Sequence, residues 1–283
     1  MPELPDLLYI QQHLRREVCG HMITEVVTKQ PVVLRIAVEE ALEKAVTQRR
    51  IEACELRGPF LRLELSGQVE LVLNLMLAGR IQHQRADEKA EGFLCFSLVL
   101  DDGSRVNVCD ELKMAKVYVV RRGAYDVIPK YREQGIDVLS REFTLPRFEQ
   151  LAAAHSRKQV RVFINDQTIL SAIGNAYADE ILFEAQIHPK TLVGKLLPKE
   201  VERLYNAVGS VLQWGIAEVE KAAQPIHVKV RTHMRVRNRR GEQCPRCGTT
   251  IRREGVRGFD VFFCPHCQPA SRKVFLDWNT SPQ

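Results

Sequence analysis

Hydrophobic residues recur at helical spacing from the start of the chain. Leu7, Ile10, Leu14 and Val18 fall on one side of a helix over 6–18, and Cys19-Gly20 ends it. From Ile23 to about Val120 the period changes. The stretches 23–28, 51–56, 60–65, 69–75, 93–100 and 105–108 are short and rich in β-branched or apolar residues. Ser66-Gly67 and Asp101-Asp102-Gly103-Ser104 separate them as hairpin turns. A short helix over 38–46 interrupts the strands. The sum predicts an antiparallel β-sandwich with the N-terminal helix packed on it. That helix would hold the chain start in a defined place.

The stretch 123–144, with Pro129 and Gly135 and few apolar repeats, reads as a connector. Helical spacing returns over 145–155, 159–171, 175–185 and 198–221. Short strands are expected again between 222 and 236. Then come Cys244-Pro-Arg-Cys247 and Cys264-Pro-His-Cys267, with sixteen residues between the pairs. This spacing suits a tetrahedral zinc held by four thiolates, ahead of disulfides or an iron–sulfur site. The residues between the pairs are expected to form a β-hairpin carrying Arg252, Arg253 and Arg257. The expected fold class is α+β and multi-domain. Its parts are a β-sandwich domain over 1–130, a helical domain over 131–222, a strand linker and zinc finger over 223–268, and a tail over 269–283. Val274, Phe275, Leu276 and Trp278 make one apolar cluster in that tail.

Composition narrows the function. Hydrophobic residues make up 45% of the 283, ordinary for a globular chain, and no apolar run reaches membrane-spanning length. The N-terminus lacks a basic-then-apolar signal pattern, so a cytoplasmic or nucleoid location is expected. The net charge of +6 is concentrated between Lys221 and Lys273, where only Glu242, Glu254 and Asp260 stand against a run of arginines. A one-sided basic block points to a polyanion such as nucleic acid. Of the eight cysteines, Cys19, Cys54, Cys95 and Cys109 are scattered and read as reduced core thiols.

Two stretches carry candidate chemistry. Removal of Met1 would leave Pro2 with a free secondary amine, more often neutral at pH 7 than a lysine and able to form an iminium ion with a sugar C1′. Glu3 is the nearest acid–base partner. Farther on, Gly174-Asn175 closes one helix and opens another. Asn175 is expected to be the N-cap, with the free N–H groups there forming a phosphate-sized anion site.

Pro2-Glu3-Leu4-Pro5-Asp6, the helix start Gly174-Asn175-Ala176-Tyr177-Ala178-Asp179-Glu180, Ile187-His188-Pro189 and the four-cysteine finger occur in that order. In this the chain resembles the formamidopyrimidine-DNA glycosylase/endonuclease VIII family, from residue 2 to about residue 268. The resemblance implies a β-sandwich, a helix-two-turn-helix domain and a zinc finger, with damaged or abasic duplex DNA bound between the lobes by a monomer. It implies a base-excision glycosylase with abasic-site β/δ-elimination lyase activity. Pro2 is then the nucleophile, Glu3 the acid and Asn175 a phosphate ligand. Leu77, Lys113 and Met114 match residues that fill the hole left by an everted nucleotide.

The chain also departs from the family pattern. Pro59 stands where the family has a phosphate-gripping lysine, so Arg57 or Arg62 would have to substitute. Phe259 stands where a finger arginine is usual, with Arg257 two residues earlier and on the same hairpin face. Asn74 replaces a histidine and Asp6 a glutamate. The segment 222–240 lacks the glycine-rich loop that caps an oxidised purine, which argues against strong 8-oxoguanine specificity. The alternative reading is a protein of the same fold that recognises damaged DNA with weak or no catalysis.

Overall fold

The computed structural model describes residues 1–256 and 258–270. They form two compact units, one of Met1–Gln134 with Ile216–Val230, the other of Gly135–Gly215 with the chain from Arg231 on. Arg257 and the apolar cluster of the tail lie outside the described residues.

The first unit opens with α1 (Leu4–Glu17), whose Leu7, Ile10 and Leu14 are all buried. Glu3 is its N-cap. Glu3 and Asp6 close a capping box in which the Glu3 N–H donates to Asp6 Oδ2 at 2.8 Å. The helix is tied down from its far side, where Gln11 Nε2 and Arg15 Nε both donate to the Cys54 carbonyl, at 3.0 and 2.7 Å. The chain start is thus fixed by a helix pinned at both ends.

The strands are β1 (Ile23–Thr28), β2 (Leu34–Ala37), β3 (Ile51–Arg57), β4 (Phe60–Leu65), β5 (Val69–Asn74), β6 (Arg80–Gln84), β7 (Leu94–Leu100), β8 (Arg105–Cys109) and β9 (Lys116–Arg121), with α2 (Leu42–Val46) before β3. They make a four-stranded sheet, β1-β7-β8-β6, and a five-stranded one, β2-β9-β5-β4-β3. Central β5 is buried from Val69 to Leu73. Phe60, Val72, Tyr118 and Val120 cluster with Ile128 and Tyr131 of the connector.

Three of these strands, β2, β6 and β9, are absent from the sequence-based expectation. Strand β6 reads Arg-Ile-Gln-His-Gln, and β2 is short and largely exposed. The sandwich is also not wholly antiparallel, because β2 runs parallel to β9, with Leu34 opposite Val117. The four scattered cysteines are free thiols, as expected, and burial pushes Cys54 up to about 12 and Cys109 up to about 11.

The second unit contains α3 (Leu145–Ala154), α4 (Val160–Ile164), α5 (Asn175–Glu184) and most of α6 (Pro198–Ala222), followed by the hairpin β10 (Arg252–Val256) and β11 (Phe259–Phe263). The helix expected over 159–171 stops at Ile164. Asp166 Oδ1 takes the Thr168 N–H at 3.0 Å, and Gln167 Oε1 takes the Ala172 N–H at 2.7 Å. These side chains offer the backbone partners that a helix cannot use. The strands expected between 222 and 236 do not form either. Pro225 has no N–H to give a ladder, and the N–H groups of Arg235, Val236 and Arg237 all donate to Glu180 Oε1, at 3.0, 2.9 and 3.0 Å.

Candidate functional site

Pro2 and Glu3 are both buried at the head of α1. Pro2 lines a slot of only about 10 Å³ together with Asp6, Gly79, Arg80, His227 and Lys229. Gly79 is required here. A Cβ at this position would run into the Leu75 carbonyl, and the Gly79 N–H donates to that same oxygen at 2.9 Å. The Met1 ammonium donates to the Leu77 carbonyl at 3.0 Å, and Lys229 Nζ donates to the same oxygen at 3.3 Å. The capping box explains Asp6. Its shorter carboxylate closes on Glu3 N–H and fixes the backbone that carries Pro2.

Beside the slot opens a cleft of about 540 Å³ whose lining includes Leu77, Arg80, Phe93, Asp110, Leu112 and Lys229. Two loops hold apolar side chains out at its rim. In the first, Asn74 Oδ1 accepts the Met76 N–H at 3.0 Å, Met76 adopts a left-handed φ of 49°, and Leu77 is left 60% exposed. In the second, buried Asp110 gathers three N–H groups, those of Leu112, Met114 and Ala115, at 2.9, 2.8 and 2.7 Å. Lys113 within it has a left-handed φ of 53° and lays its ammonium over the Phe93 ring at 4.9 Å. Leu112 and Met114 remain exposed. An exposed apolar side chain on a braced loop is suited to wedging between stacked bases.

The two arginines proposed to replace the missing lysine differ. Arg57 is exposed at the β3–β4 turn and donates to the Gln134 carbonyl at 3.3 Å. Arg62 is enclosed within its own unit: it bonds Glu64 at 2.7 Å and the Tyr125 hydroxyl at 3.0 Å, near fully buried Glu70. Arg62 is thus ion-paired within its own unit, whereas Arg57 is the more exposed of the two. Pro59 is buried and Phe259 is 54% exposed on β11.

In the second unit Asn175 is the first residue of α5, and Gly174 rather than Asn175 is the N-cap. The side chain of Asn175 turns instead to Arg161, whose guanidinium donates to Oδ1 at 3.0 Å. Arg161 also bonds Asp179 Oδ1 at 2.9 Å, and Asp179 Oδ2 accepts from Arg237 at 2.8 Å and from the Phe262 N–H at 3.3 Å. Burial pushes the Asp179 carboxyl up to about 6 against the pull of those two guanidiniums. Glu180, fully buried, takes the backbone N–H groups of 235–237 and the Arg235 side chain at 3.2 Å. The helix start and the finger hairpin are wired together through these two acids.

The four finger thiols converge, with all ligand atoms within 4.8 Å of one another. Cys244 and Cys267 sulfurs are 3.9 Å apart and Cys247 and Cys264 sulfurs 3.5 Å apart. A tetrahedron of Zn–S bonds near 2.3 Å has sulfur–sulfur edges of about 3.8 Å, so the donor set fits zinc in number, chemistry and spacing. Cys244, Cys247, Cys264 and Cys267 hold one structural zinc ion. The finger packs on α5 through Phe183, with Val236, Ile251 and Phe262.

Three family models match the chain. The formamidopyrimidine-DNA glycosylase N-terminal domain covers residues 1–117, its H2TH domain 134–225, and a zinc finger found in FPG and IleRS 241–270. A formamidopyrimidine-DNA glycosylase of Thermus thermophilus is 32% identical over 281 residues, covering 95% of this chain and 98% of that protein. The chain belongs to the formamidopyrimidine-DNA glycosylase family. The relative from Chloroflexus aurantiacus is 30% identical, over 95% of this chain and 98% of its own. The crystal structure of the MutM (Fpg) protein of T. thermophilus superposes with a TM-score of 0.83 at 30% identity, covering 95% of this chain and all of that one. A complex of Lactococcus lactis Fpg with abasic-site DNA shares the fold, with a TM-score of 0.85 at 22% identity over the same shares. This is an enzyme family of DNA glycosylases, and the β-sandwich, helix-two-turn-helix and zinc-finger modules are all present here. Within this family member, residue-by-residue reading missed Asp110, Asp179 and Glu180. Asp110 braces its own loop, while Asp179 and Glu180 hold arginines and backbone N–H groups far away in sequence, partners that no local pattern announces.

Proposed function

We propose that the protein excises damaged bases from duplex DNA and cleaves the resulting abasic site through Pro2, after Met1 is removed. The observation that supports this most is the placement of Pro2: buried, on a helix start braced by Glu3 and Asp6, beside a cleft lined by Leu77 and Leu112. The Pro2 amine attacks C1′ of the damaged nucleoside. The N–C1′ bond forms as the base leaves. Ring opening to the iminium takes a proton at O4′ from Glu3, and loss of a C2′ proton expels the 3′ phosphate by β-elimination. A second elimination releases the 5′ phosphate, and water hydrolyses the remaining iminium to return the free amine. The everted strand leaves a gap that Leu77 and the 110–115 loop would fill. Arg57, Asn175 and Arg257 supply phosphate contacts in this reading, and the abasic DNA in the L. lactis Fpg complex is one substrate precedent for it. Leaving out a purine-capping loop favours oxidised pyrimidines and abasic sites over 8-oxoguanine.

The test is strand nicking of a duplex with a single abasic site, once mass measurement shows that Met1 is gone. Wild type is expected to nick it and leave phosphate at both ends of the gap. Pro2→Gly is expected to nick at least a hundredfold more slowly, a loss of about 3 kcal/mol in barrier lowering. Tight binding without nicking by wild type would turn the reading to damage recognition alone.

A further inference from the structure

We infer that Phe93 is the stacking platform for the everted base, and that the cleft beside Pro2 therefore takes planar nucleobases in preference to saturated, puckered ones. This role rests on the reading of Pro2 as the nucleophile. Cleft and slot adjoin: Arg80 and Lys229 line both, and Gly79 of the slot stands between Ala78 and Arg80 of the cleft. C1′ and the base of a nucleotide are one bond apart. A sugar whose C1′ meets Pro2 therefore brings its base within reach of the cleft, whose volume of about 540 Å³ is in the range of small-molecule sites.

The walls of the cleft differ in what they offer a base. Leu77 and Leu112 are aliphatic, and Arg80, Glu91 and Glu111 are charged. Among the described residues that line it, Phe93 is the only aromatic one, and it is left 39% exposed. Its position is fixed twice. The Phe93 carbonyl accepts the Asp110 N–H at 2.9 Å, which ties the residue to the acid that braces the 110–115 loop. The Lys113 ammonium lies 4.9 Å from the centre of the ring, a cation–π contact that engages one face. A cation on one face of a ring leaves the other for a stacked partner, and a ring already held in place loses little freedom when it is used. Stacking is tolerant of the identity of a base, since every aromatic base has a π-face. It is not tolerant of saturation, which removes that face and puckers the ring.

The experiment compares duplexes that differ at a single position: a preformed abasic site, 5-hydroxyuracil, which is planar, and dihydrouracil, whose ring is saturated. Single-turnover rates are measured for wild type, Phe93→Leu and Phe93→Tyr, all with Met1 removed. Phe93→Leu keeps an apolar side chain and loses the π-face. It is expected to slow release of 5-hydroxyuracil about tenfold, a barrier change of about 1.4 kcal/mol and the size of one base–aromatic stack. Release of dihydrouracil and nicking at the abasic site, where no aromatic base is present, change by less than about threefold in the same variant. Phe93→Tyr keeps the π-face and the wild-type order of rates. An equal loss on every duplex would overturn this role and make Phe93 a brace for its loop or a contact to the strand. An equal loss on the two base-bearing duplexes alone would overturn the preference for planar bases. An unchanged rate on 5-hydroxyuracil in Phe93→Leu would overturn the platform outright, and so would wild type that nicks the abasic duplex but releases neither base. Absence of abasic nicking by wild type would instead overturn the role of Pro2 itself.

Discussion

In the first unit, the loops bearing Leu77 and Met114 are fixed by Asn74 and Asp110, acceptors that take backbone N–H groups and leave apolar side chains facing out. In the second unit, the acids Asp179, Glu180 and Glu184 take arginines as well as backbone. Arg161, Arg235, Arg237 and Arg246 are all engaged by them. Arg239 bonds Glu242, and Arg253 bonds Asp260. Three arginines of the basic block that stands out in the sequence, Arg235, Arg237 and Arg246, are thus answered by acids lying more than fifty residues upstream, which a local charge count cannot include. The first unit offers one amine and several wedges. The second offers a zinc-held hairpin in which Arg253 is paired with Asp260.

Removing zinc should have the largest effect, and only on the second unit. Chelation of the metal, checked by mass, is expected to abolish the protection of amides in β10 and β11 from hydrogen exchange while those of β4 and β5 keep theirs. Protected β10 and β11 amides in metal-free protein would mean that packing on Phe183 alone holds the finger. Next comes Glu180→Ala, which leaves three N–H groups without their acceptor in a buried place and Arg235 with Glu184 alone. A loss of about 3–5 kcal/mol is expected in denaturant unfolding. A loss under about 1 kcal/mol would show that the 235–237 loop does not depend on it.

Asp110→Ala should cost less, about 2–3 kcal/mol, since its loop can reach water. It should also slow nicking by slackening Leu112 and Met114, whereas Glu180→Ala should act mainly on binding. Salt dependence sharpens the comparison further. Arg57→Ala is expected to lower the slope of log affinity against log salt by about 0.9, one phosphate contact, while Arg246→Ala leaves the slope unchanged. Equal slopes for both variants would return the basic block to a direct role.

The smallest effect concerns His13 and His83. Their ring nitrogens lie 3.1 Å apart, and His83 continues to Ser104 at 3.1 Å, a chain that needs at least one neutral ring. Burial, and for His13 the neighbouring imidazole, hold both below the usual histidine range. A depressed value means that the folded state binds fewer protons than the unfolded one. Stability from this pair is therefore present above the ordinary histidine value near 6.5 and is lost as pH falls through the folded values. Melting temperatures from pH 7.5 to pH 5 should drop less in His83→Gln than in wild type.

Much of this was legible in the sequence, for identifiable reasons. Strand β4 and helices α1, α3 and α6 follow their apolar periods closely, because each buries one clear face. The four cysteines announce their metal by spacing alone. The polar strand β6 and the parallel partner β2 were not legible, since neither carries a period that distinguishes it from a loop. Nor was the role of Arg62. A surface arginine and an arginine beside Glu64, Glu70 and Tyr125 are spelled the same way, and only the register of β4 against β5 brings Arg62 opposite Val72 and near Glu70. The shift of the N-cap from Asn175 to Gly174 is of the same kind, because Arg161 lies fourteen residues away and claims the Asn175 side chain.

The most direct test of the central claim is to find which atom carries the sugar. Wild-type protein lacking Met1 is trapped with borohydride on an abasic duplex, digested, and its peptides weighed. The account predicts the added mass on the N-terminal peptide, fragmenting to Pro2, and none on peptides containing Lys113 or Lys229. An adduct on a lysine, or on a peptide that still begins with Met1, would contradict it.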